Sequence, residues 1–461
     1  MSSKKRDREL TNHLGTTPLE RLPYGLISSF ILPYLNDSDA KNSYQTNIIE
    51  IQKYAGRNIM FHIREMTTEN RAFIQHVEWF RHPLHITSIN GTKILPDVLH
   101  TLKLDDGFNH PLERDGVTLL PKSLRTLTFG QDFNYPLERD GKLLLPECLQ
   151  TLEFHEYSKF NHPIEKDGKP LLPDGLQTLT FGYSFNHPLE RDGLTLLPDG
   201  LHTLTFGPYF NSPLEKDGKL LLPTRLQTLG FHEDSEFNQP LEKDGQPLLP
   251  DSLHTLTFGG KLTYPLQTNG QSLLPDGLRT LNFDEWFNDP LENDGVTLLP
   301  EGLQTLTFGE NFNHPLEKDG KPLLPGCLQT LEFDYDSMFN HPLEKDGKPL
   351  LPDGLQNLSF GWDFNHPLQV NGQRLLPAFL PTLTFGRNFN QPLEVDGQPL
   401  LPDGLQTLTF GYAFNQPLEV DGKQLLPDGL QTLDMSSNFN QPLVFNFQSL
   451  LPDSLRSIYM H

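Results

Sequence analysis

The sequence predicts a mainly β chain: a parallel β solenoid of about 15 coils, preceded by a small α-helical N-terminal module. Three observations carry this. A Leu-Pro step recurs with its prolines at 96, 121, 146, 173, 198, 223, 250, 275, 300, 325, 352, 377, 402, 427 and 452, giving 11 intervals of 25 residues and 3 of 27. Inside each interval the order Leu-x-x-Leu-x-Phe returns, with apolar residues on alternate positions, as a half-buried strand requires. The first ninety residues lack that repeat and carry apolar residues at helical spacing instead. A period in this range places one supersecondary unit in each repeat and stacks it against its two neighbours.

Residues 1–15 are polar and are expected to form a disordered tail. Residues 16–72 read as a helical module. Leu26, Phe30 and Ile31 share a helix face, with Ile27 beside it. Pro23 suits a first helical turn, and Pro33 ends or kinks the helix. Asn36-Asp37-Ser38-Asp39 offers N-caps for a second helix, and Ile48, Ile49, Ile51 and Tyr54 continue the apolar pattern. Residues 73–95 read as a degenerate capping repeat, because Phe80-Arg81-His82-Pro83-Leu84 is the later Phe-Asn-His-Pro-Leu with Arg for Asn. The solenoid proper then occupies 96–461.

The copy at 171–195 serves for the rest. Leu179 and Phe181 are expected to point inward and Thr178 and Thr180 outward. Gly182 permits a turn that a β-carbon would hinder. Phe185 returns to the core, and the following Asn186 belongs to a ladder of buried asparagines that satisfy backbone groups. Of 14 such loops 13 carry Phe-Asn, the exception being Leu262-Thr263. His187-Pro188-Leu189 runs extended, since proline removes a donor and disfavours helix in the residue before it. Glu190-Arg191-Asp192-Gly193 is a turn, and the back of the coil is expected to be β or irregular. In the final unit Val444-Phe445-Asn446-Phe447 replaces the charged turn, and the last strand leaves an edge open to self-association.

The net charge of −23 disfavours nucleic acid as a partner, which needs clustered Lys and Arg to track phosphates. No apolar run reaches membrane-spanning length, and the charged N-terminus has no apolar segment behind it. Cys148 and Cys327 hold the same repeat position seven units apart. At roughly 4.8 Å per strand, that separation of about 34 Å forbids a disulfide. These features point to a cytoplasmic location.

Catalytic and metal-binding residues are not expected. Thr-x-Thr recurs in seven coils, as on ice-binding faces, but Lys103, Glu153, Gly230, Glu332 and Asp434 interrupt it. The paired acids of the Glu-x-Asp turns usually have Lys or Arg between them, which suits a solvated turn better than calcium. Histidines at 110, 162, 187, 314, 341 and 366 form a straight row rather than a converging set, so they read as a polar surface column and not a zinc site. The variable stretch lies between the strand's Phe and the Phe-Asn, where all three 27-residue repeats place their extra residues. It gathers Tyr157, Tyr183, Tyr209, Trp286, Tyr335, Trp362 and Tyr412, and exposed aromatics along one rim suit protein recognition.

Two resemblances extend this reading. Leu-Pro-x-x-Leu-x-x-Leu-x-Phe-Gly-x-x-Phe-Asn-x-Pro-Leu, found throughout 96–461, resembles the FNIP-repeat family, a relative of leucine-rich repeats. It implies a right-handed, leucine-rich-repeat-like solenoid. Between residues 20 and 60, Leu22, Pro23, Ile31, Tyr34, Leu35 and Asp39 resemble the start of an F-box, the module that docks on the Skp1 adaptor of cullin-RING ubiquitin ligases. That resemblance implies that Leu22, Pro23, Leu26, Ile31, Tyr34 and Leu35 contact Skp1 while the solenoid holds a target protein. The chain would then be a substrate-recognition adaptor, neither an enzyme nor a cofactor carrier. A plain binding scaffold capped by its helices is the alternative, and a Thr-based ligand- or ice-binding surface the third.

Overall fold

The structure, a computed structural model, describes His62–Ile63, Leu84–Ile86, Leu95 and residues 99–460 apart from 261, 446 and 447. It comprises two compact units, Met1–His162 and Pro163–His461. The expected tail, the helices, and the F-box-like Leu22, Pro23, Leu26, Ile31, Tyr34 and Leu35 lie outside the described residues. Among the described residues there is no helix.

In the first unit, Thr101–Leu104, Thr126–Phe129 and Thr151–Phe154 pair in parallel, each Thr opposite the Thr one repeat away. Two expectations are corrected here. His62–Ile63 is a strand paired in parallel with His85–Ile86, so β structure begins inside the stretch read as a helical module. Leu84–Ile86 pairs Leu84 with Leu102 and Ile86 with Leu104, making it a strand of the same sheet rather than the His-Pro-Leu return of a capping repeat. The alternation Leu84-His85-Ile86, closed by a β-branched residue, favours that pairing over the motif likeness.

In the second unit, twelve parallel strands run from Thr178–Thr180 to Ser457–Met460, each pairing with the strand one repeat on. Their burial alternates as the sequence requires: in Thr203–Phe206, Leu204 and Phe206 are buried while Thr203 and Thr205 are half-buried. Leucine fills most of the core. In the copy at 171–195, Leu171, Leu172, Leu176, Leu179, Phe181, Phe185 and Leu189 are all at most 4% exposed. Two phenylalanine columns complete it. Phe206 and Phe210 stack within one coil at 3.7 Å, and their neighbours along the array, Phe231 and Phe237, follow at 5.6 and 6.1 Å. Burying such side chains stabilises by roughly 1.5–3 kcal/mol each, and here most of that burial is against the next coil.

The glycine after the strand has a different cause from the one expected. Its φ is not positive; what excludes a side chain is the preceding coil. A β-carbon on Gly207 would lie 2.1 Å from the Gly182 carbonyl oxygen, and one on Gly411 would lie 2.0 Å from that of Gly386. In the three 27-residue coils the turn closes two residues early, with Ser158, Ser235 and Ser337 donating their N–H to His155, His232 and Asp334. Each serine is fully buried, and its hydroxyl oxygen accepts the N–H of the Phe two residues on. A serine at the fourth position of every insertion is therefore what lets two residues be added without disturbing the Phe column.

The asparagine ladder is present but lies at the surface rather than in the core. Asn134 accepts the N–H of Asn161 through Oδ1 at 3.1 Å, and Asn340, Asn365 and Asn390 do the same for the next coil. In several coils the residue after the Asn adds a second rung. His314, His341 and His366 place Nε2 2.9–3.1 Å from the carbonyl oxygen of the preceding coil's Asn. Gln391, Gln416 and Gln441 donate Nε2–H to the same carbonyl. His and Gln alternate in this column because both reach that oxygen. Thr263 donates its N–H to Asn238 Oδ1 at 3.0 Å but carries no side-chain amide to extend the ladder.

The back of each coil is a two-residue hairpin. Glu190–Arg191 pairs with Leu194–Thr195 around Asp192 and Gly193, at φ values of 52° and 84°. Two successive positive φ values define a type I′ turn, which explains Asp-Gly and Asn-Gly in 13 hairpins. The preceding Glu caps the turn, as Glu317 does by accepting the Gly320 N–H at 2.9 Å. A base from the next coil then reaches it: Arg139 to Glu113 at 3.1 Å, Lys345 to Glu317 at 3.5 Å.

Candidate protein-interaction surface

Within each unit the strand-to-Phe-Asn loops project their side chains along one rim. Tyr157 is exposed in the first unit and lies 5.9 Å from the His155 ring. In the second unit the remaining rim aromatics fall into three places. Tyr183 and Tyr209 meet at 4.5 Å, and the Tyr183 hydroxyl donates to that of Tyr209 at 3.1 Å. Donating that proton holds it in place and raises Tyr183 above the usual phenol range.

Trp286, at 60% exposure, stands beside Gly260. A β-carbon on Gly260 would lie 3.0 Å from its Cδ1 and 3.3 Å from Asp284 Oδ2. That Oδ2 is buried without a hydrogen-bond partner. Burial pushes the Asp284 carboxyl up to about 6, with the charges of Glu285, Glu233 and Asp234 adding to it against the Glu285 N–H it accepts. The native state therefore holds a proton that the unfolded chain has lost between the ordinary 3.8 and about 6. Asp284 thus removes stability as pH rises through that window, and the loss is complete above it. Asp284→Asn is expected to abolish this fall and to be the more stable form at neutral pH; urea midpoints of both proteins across the window check it.

The third place is the most developed. Tyr335, Trp362, Arg387 and Tyr412 hold corresponding positions in four successive coils. The Tyr335 ring meets that of Trp362 edge-on at 6.1 Å. The Arg387 guanidinium lies 4.2 Å from the centre of Trp362 and 5.0 Å from that of Tyr412, so two rings hold it. Tyr335, Arg387 and Tyr412 overhang the outward face of the strands, where Ser359, Thr384, Thr409 and Asp434 form the floor. Wall and floor enclose an open cleft of about 390 Å³.

Tyr335, Trp362 and Tyr412 belong to the expected rim, and the structure brings them together. Tyr183 and Tyr209 form a separate pair, and Trp286 stands apart from both groups. Arg387 was not among the expected residues. Its signal was internal: it is the only Lys or Arg at its position in any coil, where Tyr, Glu, Gln, Gly and others stand elsewhere.

Comparison with known proteins bears on the repeat. Segments 116–157, 160–194, 287–336, 339–372 and 397–435 match the FNIP Repeat model. These five segments are similar to FNIP repeats. The array is similar to a novel circular LRR protein, CroV588, with 29% identity and a TM-score of 0.55 over 82% of this chain and 56% of that one. It is also similar in fold, at 14% identity and a TM-score of 0.50, to the TLR13 chain of a TLR13–ssRNA13 complex, covering 88% of this chain and 62% of that one. The chain thus spans less than two thirds of either of these proteins. No curated protein sequence matches it. The FNIP segments and these two neighbours make the fold a leucine-rich-repeat-like solenoid, an architecture consistent with a protein-interaction scaffold. Three of the four residues of the Arg387 stack, Tyr335, Trp362 and Tyr412, fall inside FNIP segments, and Arg387 falls between two of them.

Proposed function

We propose that the chain is a non-enzymatic interaction protein whose solenoid holds a target protein in the cleft between the Tyr335–Tyr412 stack and the strand face. The observation that supports it is the stack itself: an arginine held between two aromatic rings, overhanging a floor of hydroxyls. Aromatic residues and arginine are the side chains enriched where protein interfaces concentrate their binding energy. The finer proposal is that the chain is the substrate-recognition subunit of a cytoplasmic Skp1–cullin–F-box ubiquitin ligase. It rests on Leu22, Pro23, Ile31, Tyr34 and Leu35, with the pairing of an adaptor-docking segment and a binding solenoid as its logic.

A Skp1 pull-down tests the finer proposal. The full chain is expected to retain Skp1, and the triple variant Leu22→Ala, Pro23→Ala, Ile31→Asp to lose it with the solenoid's circular dichroism unchanged. If the unaltered chain retains no Skp1, the ubiquitin role is withdrawn and a binding scaffold remains.

A further inference from the structure

The ligand chemistry of the cleft follows from how Arg387 is used, and this step rests on the reading of the cleft as a binding site. Arg387 makes no ion pair among the described residues, although the chain carries a net charge of −23. Other bases of the array reach a carboxylate one coil away, as Arg139 and Lys345 do. Arg387 instead packs between Trp362 and Tyr412, its guanidinium carbon 4.2 Å from one ring centre and 5.0 Å from the other. Stacking on a face leaves the N–H donors, which lie in the guanidinium plane, unspent. It also fixes the side chain, so little rotamer freedom remains to be lost when a ligand binds.

The floor supplies matching groups. Ser359, Thr384 and Thr409 are consecutive partners in the parallel register, so their side chains repeat at roughly 4.8 Å. They are half-buried, and each hydroxyl can donate to an anion beside Arg387. Asp434 follows at the next register position, opposite Thr409. Its negative charge closes that end of the cleft to an acid, so the anion site spans the Ser359–Thr409 coils. The nearby carboxylate of Asp363 is already engaged, accepting Asn388 Nδ2–H at 3.0 Å.

We infer that Arg387, stacked between Trp362 and Tyr412, is the receptor for a carboxylate on an extended peptide segment, with Thr384 and Thr409 as flanking donors. A planar carboxylate matches the guanidinium fork in a bidentate pair, which a lysine could not reproduce. Three strands at roughly 4.8 Å span about the length of three extended residues, so one Asp or Glu side chain is read, flanked by one residue on each side. A single acid, rather than a run of them, is what a chain of this net charge can admit.

A position-scanning library of N-acetylated hexapeptide amides tests this with the full-length chain. Each sub-library fixes Glu, Asp, Gln, Lys or phosphoserine at one position. Glu and Asp sub-libraries are expected to be retained about 10-fold better than Gln, and Arg387→Gln to erase that preference. Arg387→Lys should lose most of it as well, which separates a fork from a point charge. Circular dichroism melts confirm that both variants remain folded. Retention without acidic preference, lost in the double variant Tyr335→Ala, Tyr412→Ala, overturns the carboxylate assignment and leaves the cleft a peptide site. A preference for phosphoserine over Glu overturns it in favour of a phosphate. Retention of no sub-library overturns both this inference and the cleft as a binding site.

Discussion

Gly386→Ala is expected to break the array at its own coil. A β-carbon there would stand 1.8 Å from the Gly361 carbonyl oxygen and 2.2 Å from its carbon. Both are backbone atoms of the preceding coil and cannot rotate away. The only relief is to part the two coils, and the strands Asn357–Ser359 and Thr382–Thr384 are paired residue for residue directly beside that point. Overpacking a core by a methylene costs about 1–3 kcal/mol, and a clash against paired backbone belongs at the upper end or beyond it. Gly404→Ala is the control: its nearest neighbour would be at 3.5 Å, an ordinary contact, and little change is expected. Urea unfolding of the two variants and the parent, followed by circular dichroism, distinguishes them. Equal midpoints for all three would refute the close-approach account of this glycine column.

Phe308→Ala is the second large effect. Phe308 is fully buried, stacks on Phe312 at 3.8 Å within its coil, and meets Phe283 and Phe333 at 5.7 and 5.4 Å in the coils on either side. Truncating a buried phenylalanine costs about 3–5 kcal/mol. In a solenoid the loss falls on two interfaces at once, because one ring is shared by three coils. The variant is therefore expected to unfold in two steps, the coils around Phe308 first, where the parent unfolds more cooperatively. Phe308→Leu should restore most of the stability and the single step. Thr305→Ala, at the half-buried end of the same strand, should change the unfolding free energy by less than about 1 kcal/mol, since it removes little packing.

Much of this was readable in the chain because the physical demand repeats. Alternation gave the inward Leu204 and Phe206 and the outward threonines, and Asp-Gly gave the turn. What the sequence concealed was distance between coils. Gly182 and Gly207 looked like turn glycines because one coil taken alone has no neighbour to clash with. The ladder asparagines looked buried for the same reason: their partner is a backbone N–H in the next coil at the surface. His and Gln looked interchangeable as polar residues, whereas their common target is a carbonyl one coil back. Leu84-His85-Ile86 carries both the Pro-Leu of the later motif and a plain apolar alternation, and the alternation decides its pairing with Leu102 and Leu104. At the rim, the aromatic residues were visible as types but their grouping was not. Arg387 stands out only when each column is read for the residue that breaks it.

One coil departs from its neighbours in several ways at once. Leu262 leaves a gap in the second phenylalanine column, Thr263 receives the asparagine ladder without extending it, and Gly260 removes the rim side chain. Strand pairing and the Phe258–Phe283 contact still cross this point. The array thus has a perforation, a line along which fewer fastenings hold successive layers together than anywhere adjacent. A pulling force or a thermal fluctuation shared equally by all the coils would find its first opening there, and the segments on either side could part as intact blocks instead of fraying from their ends.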